Sequence, residues 1–296
     1  MASNQSVGLP VMDEGKKINA TAIIRLPFLR DAGGSYARFA KVGRDFLWFC
    51  LAWMLIVAVW EVGAWQGWLN PRILPPPSET IPYLFSGEAS IGFGVHRIGL
   101  GQSILATLLR VAVGMLAGIV TSFLLAILVL ETRFLSCLIM PLVQSLAPIA
   151  PVAWIPFTIA VIGIGGQAAM FIVFITVVGS MTLSLIAALR NVPVEYIRIA
   201  KNLGASRVRL WRKVFLPAIA GNVVTTIRMS FFGAWMAVLA GEMAGINSGL
   251  GYVIIVSQQM FNMKMVMVGI VTIGIIGFVV DRLLLACGRW IVWWER

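Results

Sequence analysis

Two groups of residues in this sequence have the types and spacing to do chemistry. The first is a dense group of cations in residues 195–218, EYIRIAKNLGASRVRLWRKVFLPA, which holds six of the 23 lysines and arginines. The second is a set of single charges inside long apolar stretches, such as Arg228 and Glu242. Neither group contains a Ser/His pattern or a metal-ligand pattern, and the phosphate-binding sequence G-x-x-x-x-G-K-[ST] is missing. We therefore predict no catalytic residues, no metal site and no bound cofactor in this chain.

The composition places both groups in a membrane protein. Hydrophobic residues make up 59% of the 296 residues and charged residues only 12%, too few for the hydrated surface of a soluble domain. Backbone amides in hydrocarbon must be hydrogen-bonded within their own segment, and the apolar runs lack the alternation of barrel strands. We predict an all-α integral membrane protein whose partner is the lipid bilayer. No nucleic-acid partner is expected, because basic residues that set membrane orientation explain the net charge of +11.

Six apolar segments are long enough to cross about 30 Å of hydrocarbon as helices. They cover residues 46–65 and, approximately, residues 103–130, 135–163, 168–189, 219–245 and 265–285. Four prolines between residues 141 and 156 predict that the third span is bent or broken. Gly114 and Gly118 form a GxxxG pair on the second span, which predicts a close contact between helices.

The distribution of cations predicts the orientation of the spans. Six spans place both termini on one side, together with the basic residues 1–45 and the cation-rich residues 190–218. The other side holds only Arg72, Arg97 and Lys264. The positive-inside rule therefore predicts cytoplasmic termini. We divide the chain into a basic cytoplasmic tail, residues 1–45, and a transmembrane domain, residues 46–296.

The cation-rich segment has the pattern of a rigid projection. Apolar residues near helical spacing followed by Gly204 predict a helix that stops at the glycine. Ser206 is placed to cap a second short helix, which we expect to end at Leu216 and Pro217. A loop that only anchors to anionic lipid would explain the cations, but not the placement of the glycine and the proline.

This segment resembles the loop signature of the membrane subunits of bacterial ABC importers, which is EAA, three residues, Gly, nine residues and I-x-LP. Ala200 falls on the last alanine, Gly204 on the glycine, Val214 on the isoleucine, and Leu216-Pro217 on the LP pair. The resemblance extends over residues 50–294 and is closest to the nitrate/taurine/sulfonate/bicarbonate branch. LPPPSET, PLVQSLAPIAPVAWIPFTIAVIGIG and IRMSFFGAWMAVLAGEMAGINSGLGYVI are similar to three further motifs of that branch, in the same order.

The resemblance implies a type I ABC importer fold in which residues 190–218, the coupling segment, form a coupling helix between spans four and five. It implies a permease subunit, a homodimer in the bacterial inner membrane, that translocates a small anion such as nitrate, sulfonate, taurine or bicarbonate. Two cytoplasmic ATPase subunits would bind the ATP and Mg, and an extracytoplasmic binding protein would deliver the solute. The residues implied in ATPase coupling are Glu195, Arg198, Ala200, Lys201, Gly204, Leu216 and Pro217.

One position departs from the signature, because Arg198 stands where the family has its glutamate. Glu195 lies one turn earlier on the same helix face, so it could present an acid to the ATPase or pair with Arg198. We hypothesise that the cognate ATPase meets Arg198 with an acidic residue.

Charged residues within spans are the first candidates for a translocation path, because each costs about 2.5–3.5 kcal/mol at a helix centre. We interpret Glu61, Arg110 and Asp281 as structural anchors, of which Glu61 and Asp281 are close enough to span ends to reach the interface. Arg228 and Glu242 lie fourteen residues apart on the fifth span.

Trp235 lies midway between Arg228 and Glu242, so all three share one stripe of the helix. The stripe either faces the bundle, with each charge meeting a neutral partner, or lines the path. In the second case Arg228 attracts an anion and Glu242 takes part in gating. Gln144, Ser145 and Trp154 on the third span are the next candidates.

A secondary transporter or channel that works without an ATPase is the alternative function. It predicts paired acids within the membrane or inverted repeats, and the sequence has neither.

Overall fold

The computed structural model describes residues 31–68, 70–85, 90–91 and 98–293. Residues 1–30, which make up most of the predicted basic tail, lie outside the described residues, as does Arg97. Helices α1 (Asp31–Trp65) and α2 (Pro77–Phe85) precede an antiparallel pairing of two short strands, β1 (Ser90–Ile91) and β2 (Ile98–Gly99). The remaining regular elements of the described residues are helical, which confirms the predicted all-α class.

Five helical segments are long and apolar enough to cross a membrane. They are Leu47–Trp65 of α1, α3 (Leu100–Glu131), α6 (Gly166–Arg190), Arg207–Met243 and α11 (Met263–Ile291). A bent pair follows α3, formed by α4 (Arg133–Leu146) and by a 3-10 turn (Pro151–Trp154) that leads into α5 (Ile155–Ile162). Counted as one span, this pair makes six spans among the described residues and confirms the predicted architecture.

The third span is broken, as its prolines predict. The axis turns by 100° between Arg133–Leu146 and Pro151–Ile162. Proline has no N–H to continue a helix, so the backbone between the two parts folds into tight turns. These turns bond Ile149 N–H to the carbonyl of Leu146 (3.2 Å) and Ala153 N–H to the carbonyl of Ala150 (2.9 Å).

Helix α6 lies at the centre of the core and packs along α3 and α9 (Leu216–Met243). A Cβ atom at Gly114 would lie 2.8 Å from the Cβ of Val173, and one at Gly118 would lie 2.7 Å from the Cβ of Val177. Close backbone packing of this kind holds helices together in lipid, where apolar burial supplies little driving force. The predicted GxxxG contact is therefore confirmed.

The prediction that the second helix of the coupling segment ends at Leu216 and Pro217 is wrong. After α7 (Val194–Asn202), helix α8 (Arg207–Leu210) continues through a π-helical turn (Trp211–Phe215) directly into α9. Leu216 N–H bonds to the carbonyl of Trp211, five residues back. This shift places Pro217 in the first turn of α9, where a missing N–H is tolerated.

Helix α10 (Leu250–Gln259) follows α9 and packs against α9 and α11. Helix α2 packs against α11, where Glu79 and Lys264 form an exposed ion pair of 2.7 Å. The carboxylate of Glu61 accepts hydrogen bonds from the hydroxyl (2.7 Å) and the N–H (3.2 Å) of Ser78 at the start of α2. These contacts belong to one compact unit, Trp60–Arg296.

Candidate functional site

Helix α7 presents an apolar face outside the spans. Tyr196, Ile199 and Leu203 share that face because they lie three and four residues apart. They are 55%, 57% and 80% exposed, and helix α7 and the turn after it contain no buried residue. Exposed apolar groups clustered in this way mark an interaction surface.

The turn after α7 explains the spacing of Ala200, Lys201 and Gly204. Gly204 has φ +73°, a left-handed conformation that ends a helix and that only glycine adopts freely. Its N–H bonds to the carbonyl of Lys201 (2.9 Å), and the N–H of Ala205 bonds to the carbonyl of Ala200 (3.0 Å). This pair of bonds is a Schellman motif, so the glycine must follow the alanine by four residues.

The other predicted coupling residues lie at two separate places. Glu195 and Arg198 are exposed on α7, and no ion pair joins them in the described part of the chain. The local pairing that we considered is therefore not formed. Leu216 and Pro217 lie beyond the π turn, at the start of α9. Ser206 occupies the predicted N-cap position, but its side chain makes no capping bond in the described structure.

The last residue of α3, Glu131, joins the second part of the coupling segment. One carboxylate oxygen lies 2.8 Å from Nη2 of Arg207, and the other accepts a hydrogen bond of 3.3 Å from Nε1 of Trp211. We call Glu131, Arg207 and Trp211 the coupling latch. Sequence reasoning missed Glu131, although an acid at a span end beside the ETRF turn is a local signal for such a contact.

A buried network surrounds Glu242 at the far end of α9. The side chain is fully buried, and its carboxylate accepts hydrogen bonds from Nη1 of Arg110 (2.6 Å) and from the hydroxyl of Thr107 (2.9 Å). Arg110 also donates to the carbonyl of Ser248 (2.8 Å) and to its hydroxyl. We call these four residues the buried clamp. A buried ion pair is tolerated when its remaining donors and acceptors are satisfied in this way.

The glycines after α9 are required by the buried clamp. Gly249 has φ +105°, and a Cβ atom there would fall on the carboxylate of Glu242. The N–H of Gly251 donates to that carboxylate (3.0 Å), while the N–H of Leu250 donates to the hydroxyl of Thr107 (2.9 Å). The negative charge thus lies at the N-terminus of α10, where unpaired N–H groups and the helix dipole favour it.

The inner half of α9 carries a second ion pair. Nε and Nη2 of Arg228 donate to the two carboxylate oxygens of Asp281 on α11, each at 2.9 Å. The Asp281 side chain is only 9% exposed, so the prediction that it reaches the membrane interface is wrong. Trp235 is buried against Phe231, with ring centroids 5.8 Å apart.

The interpretation that each charge of the α9 stripe meets a neutral partner is wrong, because both charges have charged partners. Arg110, interpreted as an anchor, holds Glu242, and Asp281 holds Arg228. Arg228 and Glu242 do not meet each other, since fourteen residues of helix separate them by about 20 Å. Their roles in attracting an anion and in gating stay predictions.

The third-span candidates lie around the bend. Gln144 and Ser145 are exposed on α4, and the Ser145 hydroxyl donates to the carbonyl of Pro141 (2.7 Å). Trp154 is half-buried beside Phe157, with ring centroids 5.9 Å apart. A Cβ atom at Gly179 would lie 3.2 Å from Cα of Ala147, so the end of α4 packs on the middle of α6.

Helices α6 and α9 share an exposed polar face that sequence reasoning missed. Ser180 and Ser184 are exposed on α6, and Asn222 and Thr225 are exposed on α9. The hydroxyl of Ser180 lies 3.4 Å from that of Ser230, which joins the two helices. Hydroxyls bonded to their own helix are tolerated by lipid, but an amide such as that of Asn222 needs a polar partner. The recurrence of polar residues every four positions on α6 was the signal in the sequence.

Known proteins match most of the chain, including most of the residues described above. Residues 112–292 match the model of the family described as binding-protein-dependent transport system inner membrane component. The chain is 28% identical over 229 residues to the nitrate import permease protein NrtB of Synechocystis sp., a match covering 77% of the chain and 82% of the relative. It is 32% identical over 196 residues to the bicarbonate transport system permease protein CmpB of Synechococcus elongatus, covering 66% and 70%.

Two further matches extend the comparison. The taurine transport system permease protein TauC of Escherichia coli is 25% identical over 241 residues, covering 81% of the chain and 87% of TauC. A solved chain from the inward-facing MetNI methionine ABC transporter shares the fold, with a TM-score of 0.54 and 23% identity over 65% of this chain and 94% of that chain.

Proposed function

We propose a function for this chain from the premise that it belongs to the family of binding-protein-dependent transport inner-membrane components, in the ABC importer permease branch of the nitrate, taurine and bicarbonate permeases. The chain is the membrane-spanning subunit of an importer whose energy comes from two separate cytoplasmic ATPase subunits. ATP and Mg bind to those subunits and not to this chain. Residues 46–296 form the permease domain, which lies in the bacterial inner membrane. Residues 1–45 form a tail on the cytoplasmic side.

The exposed apolar face of α7 carries the proposal. Tyr196, Ile199 and Leu203 lie between spans four and five, on the side that the positive-inside rule assigns to the cytoplasm. A soluble protein groove would bury these side chains and remove them from water. The Schellman turn at Gly204 fixes the angle between α7 and α8, so a force applied to α7 reaches the start of α9 through one rigid segment.

Arg198 selects the ATPase that binds there. The guanidinium is exposed on α7, next to the apolar face and without an acidic partner in the described residues. An arginine at an interface is best matched by a carboxylate, which it binds through two hydrogen bonds. The cognate ATPase therefore carries an acid where the ATPases of glutamate-bearing relatives carry a different residue.

A second copy of the chain faces an exposed stripe of α9 across the path. From Ala218 to Met236 its exposed residues alternate at spacings of four and three, as in a helix seam, and Met243 follows seven residues later. They are Ala218, Asn222, Thr225, Met229, Phe232, Met236 and Met243. The amide of Asn222 needs water or a partner copy instead of lipid, whereas the hydroxyls of Ser180 and Ser184 bond to carbonyls of their own helix. The path between the copies is thus lined at its inner half by amide and hydroxyl groups.

The solute is a small organic or inorganic anion such as nitrate, bicarbonate, taurine or another sulfonate. The names of three relatives support this class. An extracytoplasmic binding protein delivers the anion, and its pocket sets most of the specificity. The one cation of α9 is Arg228, whose side chain is 28% exposed beside Asp281.

Purification and reconstitution test the proposal. The chain is produced with its cognate ATPase and binding protein, purified through a tag on the permease, and placed in proteoliposomes. We expect the ATPase to co-purify, its hydrolysis to rise with loaded binding protein, and solute uptake to require ATP. Uptake by the chain alone, without ATPase, would instead establish the secondary transporter or channel and overturn the proposal.

A further inference from the structure

Helix α3 ends in a carboxylate that holds two residues of the coupling segment at once. Arg207 contacts one oxygen of Glu131 at 2.8 Å, and the indole N–H of Trp211 donates to the other at 3.3 Å. The two donors lie one helical turn apart, so both project from the same face of their helix. A shift or a rotation of this part of the coupling segment would therefore change both contacts with Glu131.

Trp211 also begins the π turn. Its carbonyl accepts the N–H of Leu216, and its ring packs against Phe215 with centroids 4.9 Å apart. Both rings pack on the hydrophobic core. A π turn inside a helix has poorer hydrogen bonding than the regular helix and often marks a functional position. Trp211 thus donates to Glu131 and is also the residue at which the fifth span changes from α-helical to π-helical hydrogen bonding.

Glu131 is also linked to the next span. A single non-helical residue, Thr132, separates α3 from α4, and its hydroxyl caps α4 by accepting the N–H of Leu135 (3.4 Å). A displacement of Glu131 therefore moves the start of α4 as well. Helix α4 carries Gln144, which is exposed near the bend of the third span.

We propose that Glu131 is a positioning residue for energy coupling, through which the coupling latch transmits movement of the coupling segment to the turn between α3 and α4. The proposal rests on the proposed function, because it presumes an ATPase that moves α7. Stability is not the reason for the contact. Arg207 is 76% exposed, and an ion pair so accessible to water contributes little to folding.

The test measures ATP hydrolysed per solute imported by the full complex in proteoliposomes. Glu131→Gln keeps the shape of the side chain and removes its charge, and we expect it to raise this ratio about two- to tenfold. Glu131→Arg places two cations together and should raise the ratio further. Combining Glu131→Arg with Arg207→Glu reverses the pair and should return the ratio to within about twofold of the wild type.

Glu79→Gln is the matched control, because it removes an ion pair of comparable exposure at the opposite end of the spans, between α2 and α11. It should leave the ratio unchanged. An unchanged ratio in both Glu131 variants, with the ATPase still bound, would overturn the proposed role of Glu131. A reversed pair that fails to restore the wild-type ratio would also overturn it. Failure of the wild-type chain to bind an ATPase would instead overturn the proposed function. If Glu131→Arg does not assemble, Glu131→Gln and Trp211→Phe, which lacks the indole N–H, give the same test.

Discussion

The buried clamp and the coupling latch join the same two helical segments at opposite ends. Arg110 of α3 holds Glu242 near the end of α9, whereas Glu131 of α3 holds Arg207 at the start of that continuous helix. About 30 Å of α3 separates the two contacts. The ion pair of the clamp is almost fully buried, whereas Arg207 of the latch is 76% exposed and its partner Glu131 is 26% exposed. One end of this helix pair is therefore held more firmly than the other.

The energies of the two contacts explain the difference. Breaking a buried ion pair leaves an uncompensated charge in a medium of low dielectric constant, at a cost of about 3–5 kcal/mol. An exposed pair contributes only about 0–1 kcal/mol. We therefore expect a movement started at α7 to displace the latch end of α3 and to leave the clamp end in place.

Removing one partner of the clamp should have the largest effect. Arg110→Met leaves Glu242 buried without its cation, and we expect a loss of about 3–5 kcal/mol in the free energy of unfolding, seen as a large fall in thermal stability in detergent. Arg110→Met combined with Glu242→Leu removes both charges and should recover much of that loss. Glu131→Gln at the latch should cost less than about 1 kcal/mol. Equal losses at both contacts would contradict the contrast.

Gly249→Ala should damage the clamp from the backbone side. The new Cβ atom meets the Glu242 carboxylate and also forces a positive φ on alanine, so we expect destabilisation of about 2–5 kcal/mol. Gly245→Ala is the matched control, because Gly245 has φ +125° but open space around the added Cβ atom. It should cost only the backbone strain of about 1–2 kcal/mol. The same thermal unfolding assay compares the two variants, and indistinguishable values would count against the clash.

Leu203→Glu should weaken binding of the ATPase without affecting the fold. Leu203, the C-cap residue of α7, is the most exposed residue of the apolar face, and placing a charge in a desolvated contact costs about 2 kcal/mol, or about 30-fold in affinity. Asn202→Glu adds the same charge one residue earlier and removes no apolar contact, so its effect should be several times smaller. Recovery of the ATPase with the tagged permease measures both. Full recovery of the ATPase with Leu203→Glu would show that the ATPase does not bind to the apolar face of α7.

The smallest effect is expected at Arg198. The wild-type chain should bind the ATPase of a glutamate-bearing relative about three- to tenfold more weakly than its own, and Arg198→Glu should reverse this preference. Because the contact is exposed, the difference should shrink as salt is added. A lack of rescue by Arg198→Glu would remove the proposed acid on the cognate ATPase.

Features that depend on local sequence were predictable. Four prolines predicted the broken third span, Gly204 predicted the end of α7, and Gly114 with Gly118 predicted a close contact of α3 with another helix, which the structure identifies as α6. Each of these follows from the properties of a residue and its near neighbours. Hydropathy predicted the spans because it too depends only on the residues within each segment.

Features that depend on packing were not predictable. Arg110 and Glu242 are 132 residues apart, and Trp211 and Glu131 are 80 apart, so no local pattern identifies the partners. The π turn was also not predicted, because no single residue type marks it in the sequence. Pro217 has the sequence signature of a helix end, but the change in hydrogen-bond register before it lets the helix continue.

A cleavable cross-link between positions 131 and 207 tests whether the coupling latch links ATP hydrolysis to import. Glu131→Cys and Arg207→Cys are introduced together after Cys50, Cys137 and Cys287 are replaced by serine, and a short methanethiosulfonate reagent spans the gap left by the two side chains. ATP hydrolysed per solute is then measured in one preparation, before and after reduction. The account predicts a low, wild-type ratio while the link is intact and a rise of about two- to tenfold when it is cut. The same ratio in both states, or no import by the linked complex, would contradict it.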